Sequence, residues 1–101
     1  MALCIVPDEA AAERIATALV DERLAACVNR IGGVRSTYRW QGKVCHDSES
    51  LLVIKTTRER FDAVRERILA LHPYELPEVI AVDIAHGHAP YLAWIEAETG
   101  I

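Results

Sequence analysis

The sequence predicts an α+β domain of ferredoxin-like order, β-α-β-β-α-β in an antiparallel sheet, with an additional C-terminal helix and a long central β-hairpin. Apolar runs of strand length alternate with segments of helical period, a long β-rich stretch lies between the first two helices, and no seam divides the chain. A single domain over residues 1–101 follows, and with 51% apolar and 26% charged residues it can bury a core.

Ala2 to Val6 is a short apolar run ended by Pro7 and Asp8, the pattern of a strand buried on both faces. Asp8 is placed to cap a helix in which Ala12, Ile15, Ala16, Leu19 and Val20 share one face, and which runs to about Leu24. From Ala26 to Thr57 the helical period disappears, and CVNRIGGVRSTYRWQGKV followed by SLLVIKTT predicts a hairpin. Gly32 and Gly33 mark a bulge or bend in its first arm. The turn is either Gln41–Gly42 or the polar stretch Cys45 to Ser48, and the later position is favoured. Thr56 and Glu59 form a capping-box pattern ahead of Phe61, Val64, Ile68 and Leu71, and this helix stops at His72 because Pro73 follows. Val79 to Ile84 predicts the fourth strand, and Pro90 to Glu98 a terminal helix with Gly100 just past its end.

The first hairpin arm is long for its domain. From Cys27 to Val44 its 18 residues would span roughly 60 Å as one strand. A globule of this size has a diameter of only about 33 Å. The arm therefore either folds back at Gly32–Gly33 or projects beyond its own core, carrying Tyr38 and Trp40 at its tip. A projecting arm would expose strand edges and apolar surface, and self-assembly is the expected cover.

Net charge is −4, with Lys and Arg interspersed among Asp and Glu, so no basic stripe is present for nucleic acid or anionic lipid. The three cysteines, Cys4, Cys27 and Cys45, lack C-x-x-C spacing, which argues against a disulfide framework or a thiolate zinc site and for a reducing compartment. The apolar start stops at Pro7, too short for a signal peptide or membrane span, so the expected location is the cytoplasm.

Candidate chemistry concentrates in LHPYELPEVI, where His72, Tyr74, Glu75 and Glu78 lie in a segment stiffened by Pro73 and Pro77, with Lys55 as a possible nearby cation. The same residues suit an ordinary two-proline connector. His86 and His88 could offer two imidazoles to a divalent ion, but no local motif completes the set, and Cys4 suits a small buried apolar position as well as a ligand. Nucleophile elbows, phosphate loops and dinucleotide fingerprints are absent from the sequence, which favours binding and assembly over catalysis.

The blocks PDEAAAERIATALVDERLAACVNRIGGVRSTYRWQGKV, LLVIKTTRERF, LHPYELPEVIAVDI and APYLAWI, in this order over nearly the whole chain, resemble the CutA divalent-cation tolerance family. The resemblance implies a ferredoxin-like protomer in a homotrimer, a role in tolerance to copper and other divalent cations, and no established catalytic activity. It also implies copper ligation by a strand-1 cysteine and two adjacent histidines before Pro-Tyr. Here Cys4 and His72 match, while Leu71 stands at the other histidine position. A third implication is likeness to PII-type signalling trimers, with intersubunit clefts for a small anionic ligand; Trp40, Lys55, Tyr74, Glu78, Tyr91 and Trp94 are the candidates.

Overall fold

The computed structural model describes residues 1–100. Its elements are β1 (Ala2–Val6), α1 (Glu9–Asp21), β2 (Cys27–Trp40), β3 (Lys43–Lys55), a 3₁₀ turn (Arg58–Arg60), α2 (Phe61–Leu71), β4 (Ile80–Ala81) and α3 (Ala89–Thr99). The four strands form one antiparallel sheet in the order β2-β3-β1-β4, the ferredoxin-like arrangement with an additional helix.

The core lies on one side of this sheet. Ala2, Cys4 and Val6 of β1 and Leu52 and Ile54 of β3 meet Ala11, Ala12, Ile15 and Leu19 of α1 and Val64 and Ile68 of α2 in one buried cluster. Each large side chain buried there contributes about 1.5–3 kcal/mol relative to exposure. The alternate strand residues, Leu3, Ile5, Leu51 and Val53, point the other way and stay partly exposed. The expectation that β1 is buried on both faces therefore fails within one chain, because no helix covers the second face.

Asp8 caps α1 as expected, its Oδ1 accepting from the Ala11 N–H at 2.8 Å. The helix ends earlier than Leu24, at Asp21. Arg23 takes a left-handed conformation (φ 60°), and the Leu24 N–H returns to the Leu19 carbonyl at 2.9 Å, which closes the helix end. The capping box also fails. Thr56 donates its hydroxyl to the Leu24 carbonyl at 2.6 Å instead, and Thr57, which precedes the 3₁₀ turn, makes no side-chain cap.

The hairpin turns at Gln41–Gly42, which corrects the favoured Cys45 to Ser48 position. Trp40 pairs with Lys43, and Gln41 and Gly42 both have positive φ (49° and 79°), as a two-residue turn matched to strand twist requires. At Gly32–Gly33 the register moves from Ile31 opposite Leu51 to Val34 opposite Glu49, so two residues oppose one, and Gly33 supplies a φ of 76°. The arm bulges there without folding back. The hairpin projects, and the molecule measures 45 × 27 × 21 Å.

β4 is far shorter than Val79 to Ile84. Its two residues pair with Leu3 and Ala2; a Met1–Val82 backbone exchange continues the pairing at one end, while at the other β1 runs on to Val6 but its Ile5 carbonyl is taken by His72. α3 matches its expectation closely, with Pro90 in the first turn and Gly100 as C-cap.

Candidate functional site

Beneath the hairpin, on the side of the sheet away from α1 and α2, lies a cleft of about 710 Å³. Ile5 of β1, Ser36 to Trp40 of β2, Glu49 of β3 and the Pro73 to Glu78 segment line it. That segment is fixed by His72. Its Nδ1 accepts from the Tyr74 N–H at 3.1 Å, which leaves the proton on Nε2 to be donated to the Ile5 carbonyl at 2.7 Å. The imidazole thus takes a β1 carbonyl beyond the end of β4 and holds the backbone at Tyr74. The two rings lie 4.8 Å apart.

Tyr74 then donates its hydroxyl to Glu49 Oε2 at 2.5 Å, and on the hairpin Tyr38 donates to Asp47. Burial, followed by the Glu49 hydrogen bond, pushes the Tyr74 phenol well above the usual range. The Asp47 hydrogen bond is the main cause that raises Tyr38 to about 12. Both phenols stay neutral at physiological pH. Sequence reasoning missed Glu49 and Tyr38 as members of this cleft, since both sit in strands and neither belongs to a motif.

Of the six residues expected in a cleft, Trp40, Tyr74 and Glu78 are brought together in one protomer. Lys55 is elsewhere, its ammonium donating to Asn29. Tyr91 and Trp94 lie on α3 and pack against each other with centroids 5.5 Å apart. Glu75 lines the cleft beside Glu78.

Cys4 and His72 are neighbours, because both bond the same acceptor, the Ile5 carbonyl, Cys4 through Sγ at 3.7 Å. The Cys4 thiol is fully buried, and burial, with Glu78 as a lesser cause, raises its pKa to about 12. A metal ion here would need a thiolate and a free imidazole nitrogen. Binding would therefore cost the contacts to Ile5 or Tyr74, and Leu71 offers no third donor. The pair does not fit a preformed copper centre. His86 and His88 are exposed ahead of α3, where the His88 carbonyl accepts from the Tyr91 and Leu92 N–H groups. Among the described residues no group of three or more His, Cys, Asp or Glu side chains gathers to hold a metal.

No described helix is long and apolar enough to cross a membrane. Residues 1–98 match the sequence model described as CutA1 divalent ion tolerance protein. A divalent-cation tolerance protein CutA from Thermus thermophilus is 53% identical over 98 residues, which cover 97% of this chain and 95% of that one. The plant and mouse relatives matched are longer, and the chain spans about half their length. Among solved structures, a protein from Nostoc titled PII-like protein CutA superposes with a TM-score of 0.90 at 37% identity, covering 98% and 95% of the two chains. One from Archaeoglobus fulgidus, titled a periplasmic divalent cation tolerance protein, gives a TM-score of 0.95 at 34% identity, covering 98% and 96%. With fold, strand order and sequence in agreement over almost all of its length, the chain belongs to the CutA1 divalent ion tolerance family.

Proposed function

We propose that this protein acts as a cytoplasmic homotrimer in the response to divalent cations, binding copper or another such ion weakly and carrying out no catalysis. The observation that carries the reading is the uncovered face of the sheet. Leu3, Ile5, Ile31, Leu51 and Val53 form an apolar surface with no helix over it, continuous with a hairpin that extends past the core. Such a surface and its free strand edges are stable in water when another copy covers them. The tolerance role is supported by the names of the relatives, and the weakness of metal binding by the protonated Cys4 and the fully engaged His72.

Native mass spectrometry tests the assembly, with a particle of about 34 kDa expected from three 11.2 kDa chains. A lone 11 kDa species at working concentration would overturn it. Anaerobic calorimetric titration with Cu(I) and Cu(II) tests the metal. Saturation only at high micromolar concentration is expected, and no saturable binding removes the metal part of the proposal.

A second reading, a PII-like signalling role with a small anionic ligand at clefts between subunits, is favoured by the Nostoc relative's title and by the cleft beside the hairpin. Trp40, Tyr74 and Glu78 would act from this protomer. A thermal-shift screen across small metabolites tests it, because a ligand that binds only the folded state raises Tm.

A further inference from the structure

We propose that the cleft beneath the hairpin recognises an ammonium or guanidinium group, with Glu49 as its charge anchor and Tyr38, Trp40 and Tyr74 as its aromatic wall. The inference rests on the second reading above and changes the ligand of that cleft from an anion to a cation.

Glu49 is the observation that points to a ligand. Only 8% of it is exposed, yet among the described residues its carboxylate accepts one hydrogen bond, from the neutral Tyr74 hydroxyl, on Oε2. Among the described residues no Lys, Arg or His makes an ion pair with it; the recorded pairs lie elsewhere. A carboxylate as little exposed as this one is normally paired with a cation. Arg39 lines the same cleft but forms no ion pair with Glu49. With Glu75 and Glu78 in the lining as well, the wall carries three carboxylates against one guanidinium.

The hydrogen-bond inventory points the same way. An anion needs free N–H or O–H donors, and both phenols have already given theirs to carboxylates, which leaves the Trp40 indole N–H, the Ser36 hydroxyl and the Arg39 guanidinium set against three carboxylates. The three rings also offer π surface, which attracts cations within about 6 Å of a ring centroid and adds roughly 0.5–2 kcal/mol. The cleft volume, about 710 Å³, falls within the range of small-molecule sites.

The cationic group has two possible sources of one chemistry. It belongs either to a free amine or guanidine, or to Arg35 or Lys43 of a second copy; both residues lie on the hairpin and make no ion pair among the described residues.

Spermidine, arginine amide and, as an anionic control, citrate would be titrated against the full chain by calorimetry and tryptophan fluorescence. The free-ligand source predicts saturable binding of a cation and none of citrate, with affinity falling at least tenfold in Glu49→Gln. That variant keeps an oxygen acceptor for the Tyr74 hydroxyl. Trp40→Leu, on the exposed tip, gives a second variant with the same expected loss. The second-copy source predicts no amine binding, but at least a tenfold rise in the trimer dissociation concentration for Glu49→Gln and for the Arg35→Gln/Lys43→Gln pair. Unchanged binding and assembly in these variants, or saturable citrate binding lost with Trp40→Leu, overturns the proposal. A wild-type chain that runs as a monomer would defeat the homotrimer reading alone, since the amine titration would still decide the cleft.

Discussion

Leu52 and Leu51 are adjacent in β3 and live in opposite surroundings. Leu52 is fully buried under the helices, while Leu51 faces the side that no element of this chain covers. The same division runs through the whole sheet, with Cys4 and Ile54 on the closed side and Ile5 and Val53 on the open one. The closed side has what a domain needs to fold. The open side leaves apolar surface uncovered, and beside it lie the cleft, the two carboxylate-bound tyrosines and the projecting hairpin.

The strongest way to break this comparison is to make a large-to-small change on the closed side. Leu52→Ala should cost about 2–5 kcal/mol in chemical denaturation, at any protein concentration. A loss below about 1 kcal/mol would mean that the helix layer is not the core. Cys4 sharpens the same point through pH. Its thiol has a folded pKa near 12 against an ordinary 9.0, so the folded state holds the proton more tightly. Its contribution is fully present below pH 9 and is lost as pH rises through 12. Cys4→Ala should flatten the alkaline fall of stability in that window, and an unchanged slope would contradict burial of the thiol.

Gly33→Ala should have a smaller effect, about 1–2 kcal/mol, because a side chain there meets no atom within 4 Å and only the left-handed backbone is penalised. Thermal unfolding would show the loss, and a neutral result would mean that the arm relaxes without its bulge. Leu51→Lys should change the protomer's own stability least, within about 0.5 kcal/mol. It should nevertheless abolish the proposed three-chain species in sedimentation. A protomer destabilised as much as by Leu52→Ala would show that the two sides do not differ.

Much of the fold was legible in the sequence, though the open side of β1 was not, and the misses have physical causes. Period and composition placed β1 and the capped α1, because burial on one stripe leaves a plain imprint on a helix, whereas α3 was placed by Pro90 and Gly100 at its ends. The turn was misplaced because the favoured stretch was more polar, whereas hairpin closure is decided by positive φ, which Gln41–Gly42 can adopt. The β4 run is apolar enough for a strand, but pairing needs a free neighbour, and only Ala2 and Leu3 of β1 pair with it while the Ile5 carbonyl is taken by His72. For the cleft, the resemblance offered six residues, of which Trp40, Tyr74 and Glu78 lie together and Lys55, Tyr91 and Trp94 lie outside. Glu49 was not legible, since its significance lies in being hidden from water, a property of the fold and not of the letter.

The bulge at Gly32–Gly33 also governs where the aromatic residues point. Up to Ile31 the odd-numbered residues of β2 share the side of Leu51; from Val34, opposite Glu49, the even-numbered ones do. A strict period of two carried through the arm would send Tyr38 and Trp40 toward the helices, and the extra residue reverses that parity. Losing one glycine here would restore a regular ladder and leave both rings facing as they do now. The same deletion anywhere between Arg35 and Arg39 would turn part of the arm over, so tolerance to a change in length is confined to this one place.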